Sequence, residues 1–426
     1  MQRLGLQLVV ACAIASVAAD PAVRAAEQPS RIFRGLFGPD PDAAVTSHPV
    51  VELRVATYEA RGQTQRRAGE GVDESTQDDG FYSGVTTGVS YRRKARTALL
   101  TGSVGNALRV YPLGGVTVAE HSGYGGIEVR PNRRTTVRGA GGVLYTPLHQ
   151  VLGLAVPTDG GGGSGGDASL PTNASTTYSG GLSVARQIGR RGVLTVGGDG
   201  RTTQFAGRDA GTTAQQAGAT YTYDMGKGFG LRVGDGVRVL RAGTAPAIVA
   251  QDIALGIDVN RALTESRRTT VTVTTGSSIA SSETGRRLIA TGAATLLHRV
   301  GRSWQASASI ERGLQVADLL PEPFVANNAS FTVGGFLSRR ASLRVRGVYG
   351  FGDFDLDGSA SPYRSYLAEG RAGIALGRHV QLYIEHLYYQ HRFPEALLLP
   401  ADVPHRRVQH GTRFGLDIWA TLMGRS

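Results

Sequence analysis

From His48 to the C-terminus, apolar and polar residues alternate in short segments. We identify about eighteen such segments of about 10 to 16 residues, separated by polar, Gly-rich or Pro-rich breaks. Side chains at alternate positions of a strand point to opposite faces of the sheet. Clear examples lie at residues 51–55, 270–274, 304–310 and 343–346. The pattern predicts strands with one apolar and one polar face.

The order of the connections distinguishes a membrane barrel from a soluble β-sandwich. One set of breaks is short and basic, and the breaks between them are longer and more variable. The short breaks lie at residues 92–94, 131–133, 189–191, 226–228, 301–302, 338–340 and 377–378, and the longer ones include 61–80, 157–172, 317–323, 353–362 and 394–405. A barrel threaded through a membrane has short periplasmic turns and longer external loops. The chain is therefore predicted to be an all-β, transmembrane, antiparallel up-and-down barrel.

The strand number follows from the need to close that barrel. An unsatisfied backbone group in hydrocarbon costs several kcal/mol, so a spanning sheet has no open edge. Eighteen strands close with both termini on the periplasmic side. Sixteen remains an alternative, because the segments at residues 210–223 and 246–260 have the weakest alternation.

Aromatic residues cluster near the ends of the predicted strands. Tyr91, Tyr221, Tyr223, Trp304 and Phe336 lie near the short turns, and Tyr349, Phe351, Phe354, Tyr388 and Tyr389 lie near the long loops. Amphipathic rings concentrate where a bilayer meets water. The positions predict two interfacial girdles.

The N-terminus has the features of a secretory signal peptide. Residues 1–26 contain Arg3, an apolar run at 4–19, and small residues before cleavage points after Ala18 or Ala25. A lipobox-like stretch ending at Cys12 is the alternative and would make this cysteine a lipid anchor. No later segment has the ~18 to 20 consecutive apolar residues of a membrane helix. We therefore expect a signal peptide at 1–26, a periplasmic segment at 27–47 and an outer-membrane barrel at 48–426.

Composition adds two constraints. Glycine is abundant, at 60 of 426 residues, which disfavours long helices. Cys12 is the single cysteine, so removal of the signal peptide would leave no thiol for a disulfide or a cysteine metal site. We expect no cofactor and no metal.

The formal net charge is +12, and nearly all of the basic residues are arginine, since only Lys94 and Lys227 are lysine. An arginine-biased codon supply in a GC-rich genome would produce this composition. Alternatively, planar guanidinium groups suit an anionic partner such as lipopolysaccharide or a transported anion. Nucleic acid is not an expected partner of an exported chain.

If the apolar faces meet lipid, the opposite faces line the lumen. The candidate pore-lining residues are Arg54, Arg138, Arg232, Arg238, Arg344, Arg346, Arg413, Glu52, Glu311, Glu385 and Asp417. Charged rings inside a pore attract ions of one sign, and here the arginine excess favours anions. Ladders of Arg and Asp or Glu that brace neighbouring strands are the alternative interpretation.

No catalytic constellation accompanies these charges. His386 and His391 lie five residues apart on one predicted strand, so they point to opposite faces and cannot hold one metal; we expect them at the membrane interface. Residues 226–230 superficially match a phosphate-binding loop, but no helix follows them. No Ser-His-Asp arrangement is evident. We expect a protein that is not an enzyme.

The region that begins at Asp79-Gly80-Phe81-Tyr82-Ser83-Gly84-Val85 and continues through Leu99-Leu100-Thr101-Gly102 to Val110-Tyr111 resembles the β-barrel porin type 2 family. That resemblance implies an outer-membrane barrel that serves exopolysaccharide export. A diffusion porin for an anionic or polar solute, and a plugged structural or adhesive barrel, remain alternatives. Expected partners are outer-membrane lipid and lipopolysaccharide, the solute or polysaccharide, and the barrel-assembly machinery of a Gram-negative bacterium.

Overall fold

The computed structural model describes residues 50–67, 75–112, 116–146, 174–206, 211–242, 247–263, 268–282, 285–301, 303–315, 324–353, 362–395 and 405–423. The expected signal peptide and periplasmic segment lie outside these residues. Eighteen strands are present: β1 Val50–Arg67, β2 Ser75–Lys94, β3 Ala98–Tyr111, β4 Val116–Asn132, β5 Thr135–Thr146, β6 Ser175–Ile188, β7 Gly192–Phe205, β8 Thr212–Gly226, β9 Phe229–Ala242, β10 Ile248–Ala262, β11 Thr269–Ser282, β12 Gly285–Val300, β13 Trp304–Gln315, β14 Phe324–Phe336, β15 Ala341–Asp353, β16 Pro362–Ala375, β17 Val380–Arg392 and β18 Arg406–Met423.

The strands form one closed antiparallel ring. Each strand pairs with the next along the chain, and β18 pairs with β1 from Arg67 opposite Arg406 to Val51 opposite Met423. The predicted up-and-down barrel of eighteen strands is confirmed. The two weakest segments are separate strands, β8 and β10, so the alternative of sixteen is excluded.

The two faces of the barrel reverse the usual arrangement of a soluble protein. On the outer face Ile384, Phe414 and Ile418 are 50%, 53% and 41% exposed, whereas on the inner face Glu385 and Asp417 are only 3% and 2% exposed. Apolar side chains exposed on the exterior suit contact with the hydrocarbon core of a bilayer, and barrels of this architecture belong to bacterial outer membranes. The chain is therefore an outer-membrane β-barrel. Among the described residues, no helix has the length and hydropathy needed to cross a bilayer.

The basic breaks on one side of the barrel are tight hairpin turns. Lys227 and Gly228, between β8 and β9, have positive φ angles of 57° and 82°. Two successive residues with positive φ characterise the type I′ turn, whose twist matches that of the flanking strands. Residues 226–230 are thus a hairpin and not a phosphate-binding loop, in agreement with the sequence prediction.

The predicted loop at residues 61–80 is wrong in extent. Strand β1 continues to Arg67 and β2 begins at Ser75, with pairing from Arg61 opposite Phe81 to Arg67 opposite Ser75. A hairpin that projects beyond the bilayer has water on its outer face, so its strands need no apolar residues there and lose the alternation. The other connections on this side also vary, and only residues 283–284 separate β11 from β12.

Strand register divides the aromatic residues between the two faces. Tyr91, Tyr221, Tyr223 and Trp304 occupy outer positions near the short turns, and Tyr349, Phe351 and Tyr388 occupy outer positions near the longer loops. Two assignments were wrong, because Phe336 and Tyr389 fall on inner positions, where they are 7% and 2% exposed. Phe354 lies outside the described residues.

We predict that Val104→Arg lowers the free energy of unfolding by about 2–4 kcal/mol, because Val104 lies mid-strand on the outer face of β3 and is 58% exposed. Its neighbour Ser103 is exposed on the inner face, so Ser103→Arg should change that free energy by less than ~0.5 kcal/mol. Denaturant unfolding of the barrel in lipid vesicles provides the measurement. Equal effects of the two substitutions would contradict the assignment of the faces.

Candidate functional site

A chain of ion pairs crosses the inner face of five neighbouring strands, β15 to β18 and β1. We call it the inner ion ladder, and its members are Arg344, Glu369, Arg371, Glu385, Arg413, Asp417 and Arg54. Arg344 contacts Glu369 at 3.0 Å, and Arg371 contacts both Glu385 at 3.4 Å and Asp417 at 3.3 Å. The ladder links strands on both sides of the seam between β18 and β1.

Asp417 joins the two strands at that seam. Arg54 Nε donates to its Oδ1 at 2.8 Å, and Arg54 Nη2 donates to its Oδ2, so the pair is bidentate. On β17, Glu385 accepts from Arg371 and from Arg413. Asp417 and Glu385 therefore each have two guanidinium partners.

The carboxylates of the inner ion ladder are more deeply buried than its arginines. The side chains of Glu385 and Asp417 are 3% exposed, whereas those of Arg413, Arg371 and Arg54 are 13%, 23% and 56% exposed. A buried carboxylate without a partner is costly, so the arginines are required beside it. The carboxylates consequently lie at the wall, and the longer arginine side chains extend towards the lumen.

Tyrosines fill the space beside the inner ion ladder. Tyr58, Tyr82, Tyr111 and Tyr383 pack with Val118 on the inner face, and each is at most 6% exposed. Tyr82 and Tyr111 are stacked, with ring centroids 5.1 Å apart. This side of the barrel is densely packed.

Arginines cover the tyrosine rings. The guanidinium of Arg371 lies 4.0 Å from the ring centroid of Tyr383, and that of Arg413 lies 5.0 Å from the ring centroid of Tyr58. Cation–π contacts of this kind become stronger where water is excluded. The tyrosine faces are therefore occupied and do not form a free stacking surface.

The inner wall from β5 to β8 has mostly small side chains, in contrast to the wall that carries the tyrosines. Its inner positions carry small or hydroxyl-bearing side chains, including Thr136, Ala140, Gly142, Thr177, Ser179, Ser183, Thr195, Gly197, Gly218 and Thr220. The two arginines here, Arg138 and Arg201, are exposed, and Arg138 Nε lies 3.1 Å from Glu128 Oε2. Solvent reaches this wall, whereas the wall that carries the tyrosines is buried.

The loop-side end of the lumen is narrowed by a contact between β9 and β13. Arg238 on β9 donates from Nη1 to the carbonyl oxygen of Leu314 on β13 at 2.8 Å. Strands are about 4.8 Å apart, so four strands correspond to about 19 Å along the wall. Leu314 lies beyond the end of the pairing between β12 and β13, which stops at Arg312 opposite Gly292, so the hydrogen bond shows that this end of β13 is turned inward against β9. Five apolar residues surround it, which we call the mouth cluster: Leu240, Ala250, Ile289, Leu314 and Val325.

The strand register gives the position of each pore-lining candidate. Arg54, Arg138, Arg232, Arg238, Arg344, Arg346, Arg413, Glu311, Glu385 and Asp417 occupy inner positions, and so does the backbone of Glu52, whose side chain lies outside the described residues. Arg232 pairs with Asp258 at 3.1 Å and Arg238 with Asp252 at 2.9 Å. Among the described residues, Arg346 and Glu311 have no ion pair.

The sequence interpretation missed Arg371, Glu369 and Arg109. Glu369 and Arg371 lie two residues apart on β16 and continue the inward-facing series of Tyr363 and Leu367. The same period of two would therefore have found them. Arg109 is 8% exposed and donates to the Tyr58 hydroxyl at 3.4 Å. Its environment depends on strand pairing and has no local signal.

The two histidines of β17 lie on opposite faces, as their spacing requires. His386 is on the outer face, 2.8 Å from the hydroxyl of Thr412. His391 is 2% exposed on the inner face, beside Tyr389 and Phe393, so its expected position at the membrane interface was wrong. Within the part of the chain that the structure describes, no group of three or more potential metal ligands occurs.

Comparisons find similarity in structure but not in sequence. No family model matches the chain, and no curated protein matches it. Among solved structures from Pseudomonas aeruginosa, OpdQ matches with 9% identity over 88% of this chain and 98% of its own (TM-score 0.43). OccK2 (OpdF) in complex with glucuronate matches with 9% identity over 87% and 98% (0.43), and the siderophore receptor PirA with 9% over 87% and 80% (0.41). The closed barrel described above is established by the strand pairing of this chain itself.

We predict that Glu385→Gln lowers the free energy of unfolding by about 3 kcal/mol, because it removes the buried carboxylate charge that Arg371 and Arg413 both contact. Glu128→Gln is the matched control, since Glu128 also has two arginine partners but its side chain is 22% exposed. That substitution should cost less than ~1 kcal/mol. Denaturant titration followed by the mobility of the folded band measures both, and equal losses would contradict a stabilising role for the ladder.

Proposed function

We propose that this barrel is a channel that passes small anionic solutes across the outer membrane, along the solvent-exposed wall from β5 to β8. The observation that carries the proposal is the excess of arginines over carboxylates on the inner face. Charged groups lining a pore attract ions of one sign and repel the other.

Support for this excess comes from the described inner positions. The arginines are Arg54, Arg92, Arg109, Arg130, Arg138, Arg201, Arg232, Arg238, Arg287, Arg299, Arg344, Arg346, Arg371, Arg407 and Arg413, and the carboxylates are Glu120, Glu128, Asp199, Asp224, Asp252, Asp258, Glu311, Glu369, Glu385 and Asp417. Ion pairs brace the wall and neutralise much of the charge. The charge that remains is positive, so the arginines both brace the wall and attract anions in the same lumen.

The distribution of side-chain size defines the path. Large tyrosines and the inner ion ladder occupy β15 to β18 and β1 to β3, whereas small polar side chains face them from β5 to β8. Water-filled space is therefore available beside the exposed Arg138 and Arg201. An anion in this space meets guanidinium donors that suit carboxylate, sulfate and phosphate groups.

Export of a polysaccharide, implied by the resemblance to β-barrel porin type 2 proteins, is a narrower form of the same proposal. The buried tyrosine faces offer no stacking surface to a neutral sugar. An acidic polysaccharide would instead use the arginines. In this proposal the barrel is inserted by the barrel-assembly machinery and surrounded by outer-membrane lipid and lipopolysaccharide.

A plugged structural barrel is the second candidate, and the mouth cluster favours it. Leu240, Leu314 and Val325 are at most 5% exposed, and Arg238 bonds the inward-turned end of β13 at the same end of the lumen. A constriction lined with apolar side chains closes a pore to ions by excluding water. The two candidates differ in whether ions pass through the protein.

We predict that the refolded protein conducts in planar bilayers and that its reversal potential in a KCl gradient shows preference for chloride. The double substitution Arg138→Gln with Arg201→Gln should lower the ratio of chloride to potassium permeability at least threefold, because it removes exposed inner charge. Arg186→Gln with Arg241→Gln is the control, since both arginines are exposed on the outer face.

Two results would reject the proposal. Silent bilayers with correctly folded protein would favour the plugged barrel. Cation preference, or an equal change in the control variant, would show that the inner arginines do not set selectivity.

A further inference from the structure

Three arginines form a row on the outer surface of the barrel, separate from the lumen. Arg364 on β16 lies directly opposite Arg392 on β17, which lies directly opposite Arg406 on β18. All three are exposed, and they alternate with the buried inner residues Tyr363, Ser365 and His391. We call them the outer arginine row.

The row forms no ion pair within the described part of the protein. No described carboxylate lies within ion-pair distance of Arg364, Arg392 or Arg406, whereas Glu385 and Asp417 of the inner ion ladder each contact two arginines. Directly opposed residues on neighbouring strands have Cβ atoms about 5 Å apart, and like charges at that spacing destabilise the sheet. An external anion would relieve this repulsion.

Position along the strands places the row at the membrane surface. Each arginine lies at the loop-side end of its strand, next to the longer connections at residues 354–361 and 393–405. Phe351 is directly opposite Arg364, and Tyr349 stacks on Tyr366 and on Phe351 with ring centroids 4.8 and 5.2 Å apart. Outward aromatic rings mark the headgroup level of a bilayer.

Apolar side chains cover the outer surface of the same three strands nearer their turn-side ends. Ile374, Ile384 and Phe414 are 52%, 50% and 53% exposed. A lipid molecule lying along these strands would place its acyl chains on this surface, pass the aromatic rings at its headgroup, and present its phosphates to the arginines. The longer connections are those expected on the external side, so this lipid belongs to the outer leaflet.

We propose that the outer arginine row is a binding site for the phosphate groups of a diphosphorylated glycolipid of the outer leaflet, the lipid A part of lipopolysaccharide. Guanidinium groups bind phosphate oxygens with two parallel hydrogen bonds, and three adjacent groups match a headgroup that carries more than one phosphate. This site does not depend on whether the lumen conducts.

The test compares lipid binding by full-length refolded variants in detergent, measured by native mass spectrometry with purified hexa-acylated diphosphoryl lipid A. Arg364→Gln, Arg392→Gln and Arg406→Gln combined should weaken lipid A binding at least tenfold. The matched control combines Arg186→Gln, Arg241→Gln and Arg261→Gln, which removes the same charge from outer positions elsewhere. The control should bind as the unmodified protein does.

A single substitution, Arg392→Gln, removes the centre of the row and tests the site if the triple variant does not fold; it should weaken lipid A binding at least threefold. Folding of every variant is checked by heat-modifiable migration. The proposal is overturned if row and control variants weaken binding equally, if the row variants bind like the unmodified protein, or if phosphatidylglycerol binds the unmodified protein as tightly as lipid A.

Discussion

Closure of the backbone hydrogen-bond ladder is the constraint on which this structure depends. Hydrocarbon offers no partner to an unpaired amide or carbonyl group, so a sheet that crosses it must return to its first strand. Here β18 meets β1 in a continuous antiparallel register from Glu52, opposite Thr421, to Arg67, opposite Arg406. Alternation of apolar and polar residues then follows, since every strand has one face towards lipid and one towards the lumen.

The seam also shows why a glycine is needed at one inner position. A Cβ atom at Gly415 would overlap the carbonyl oxygen of Thr57 and lie 3.0 Å from the ring of Tyr383. Glycine therefore permits the close approach that brings Tyr58 and Tyr383 together. The inner ion ladder crosses this seam through Asp417, so that side-chain pairing reinforces the backbone closure. In the proposed channel the same arginines also supply positive charge to the lumen, so that bracing and anion selectivity are not separate roles.

Much of the fold could be predicted because a period of two is a local signal. Segments such as residues 343–346 show both faces in four residues, and the short turns on one side follow from glycine and basic residues at the breaks. Strand ends were less predictable. Residues 61–67 and 75–80 belong to strands, but their sequence carries no apolar alternation that would mark them as such.

Contacts between distant segments could not be predicted. The alternation of the sequence placed Arg344, Glu385 and Asp417 on the inner face, but their partners depend on register across several strands. The hydrogen bond from Arg238 to Leu314 joins strands that are four apart in the barrel and has no local signature. Phe336 and Tyr389 lie near strand ends like the girdle residues, yet a one-position difference in parity turns them inward. The outer arginine row likewise appears only when β16, β17 and β18 are aligned.

The closed barrel places lipid against the outer face of each strand and the lumen against the inner face. This arrangement is tested most directly by cysteine substitution along β6 in lipid vesicles, with a charged, water-soluble methanethiosulfonate reagent. Ser179→Cys and Ser183→Cys face the lumen and should be modified, whereas Leu182→Cys and Val184→Cys face lipid and should be protected. Modification of all four positions, or protection of all four, would contradict this arrangement.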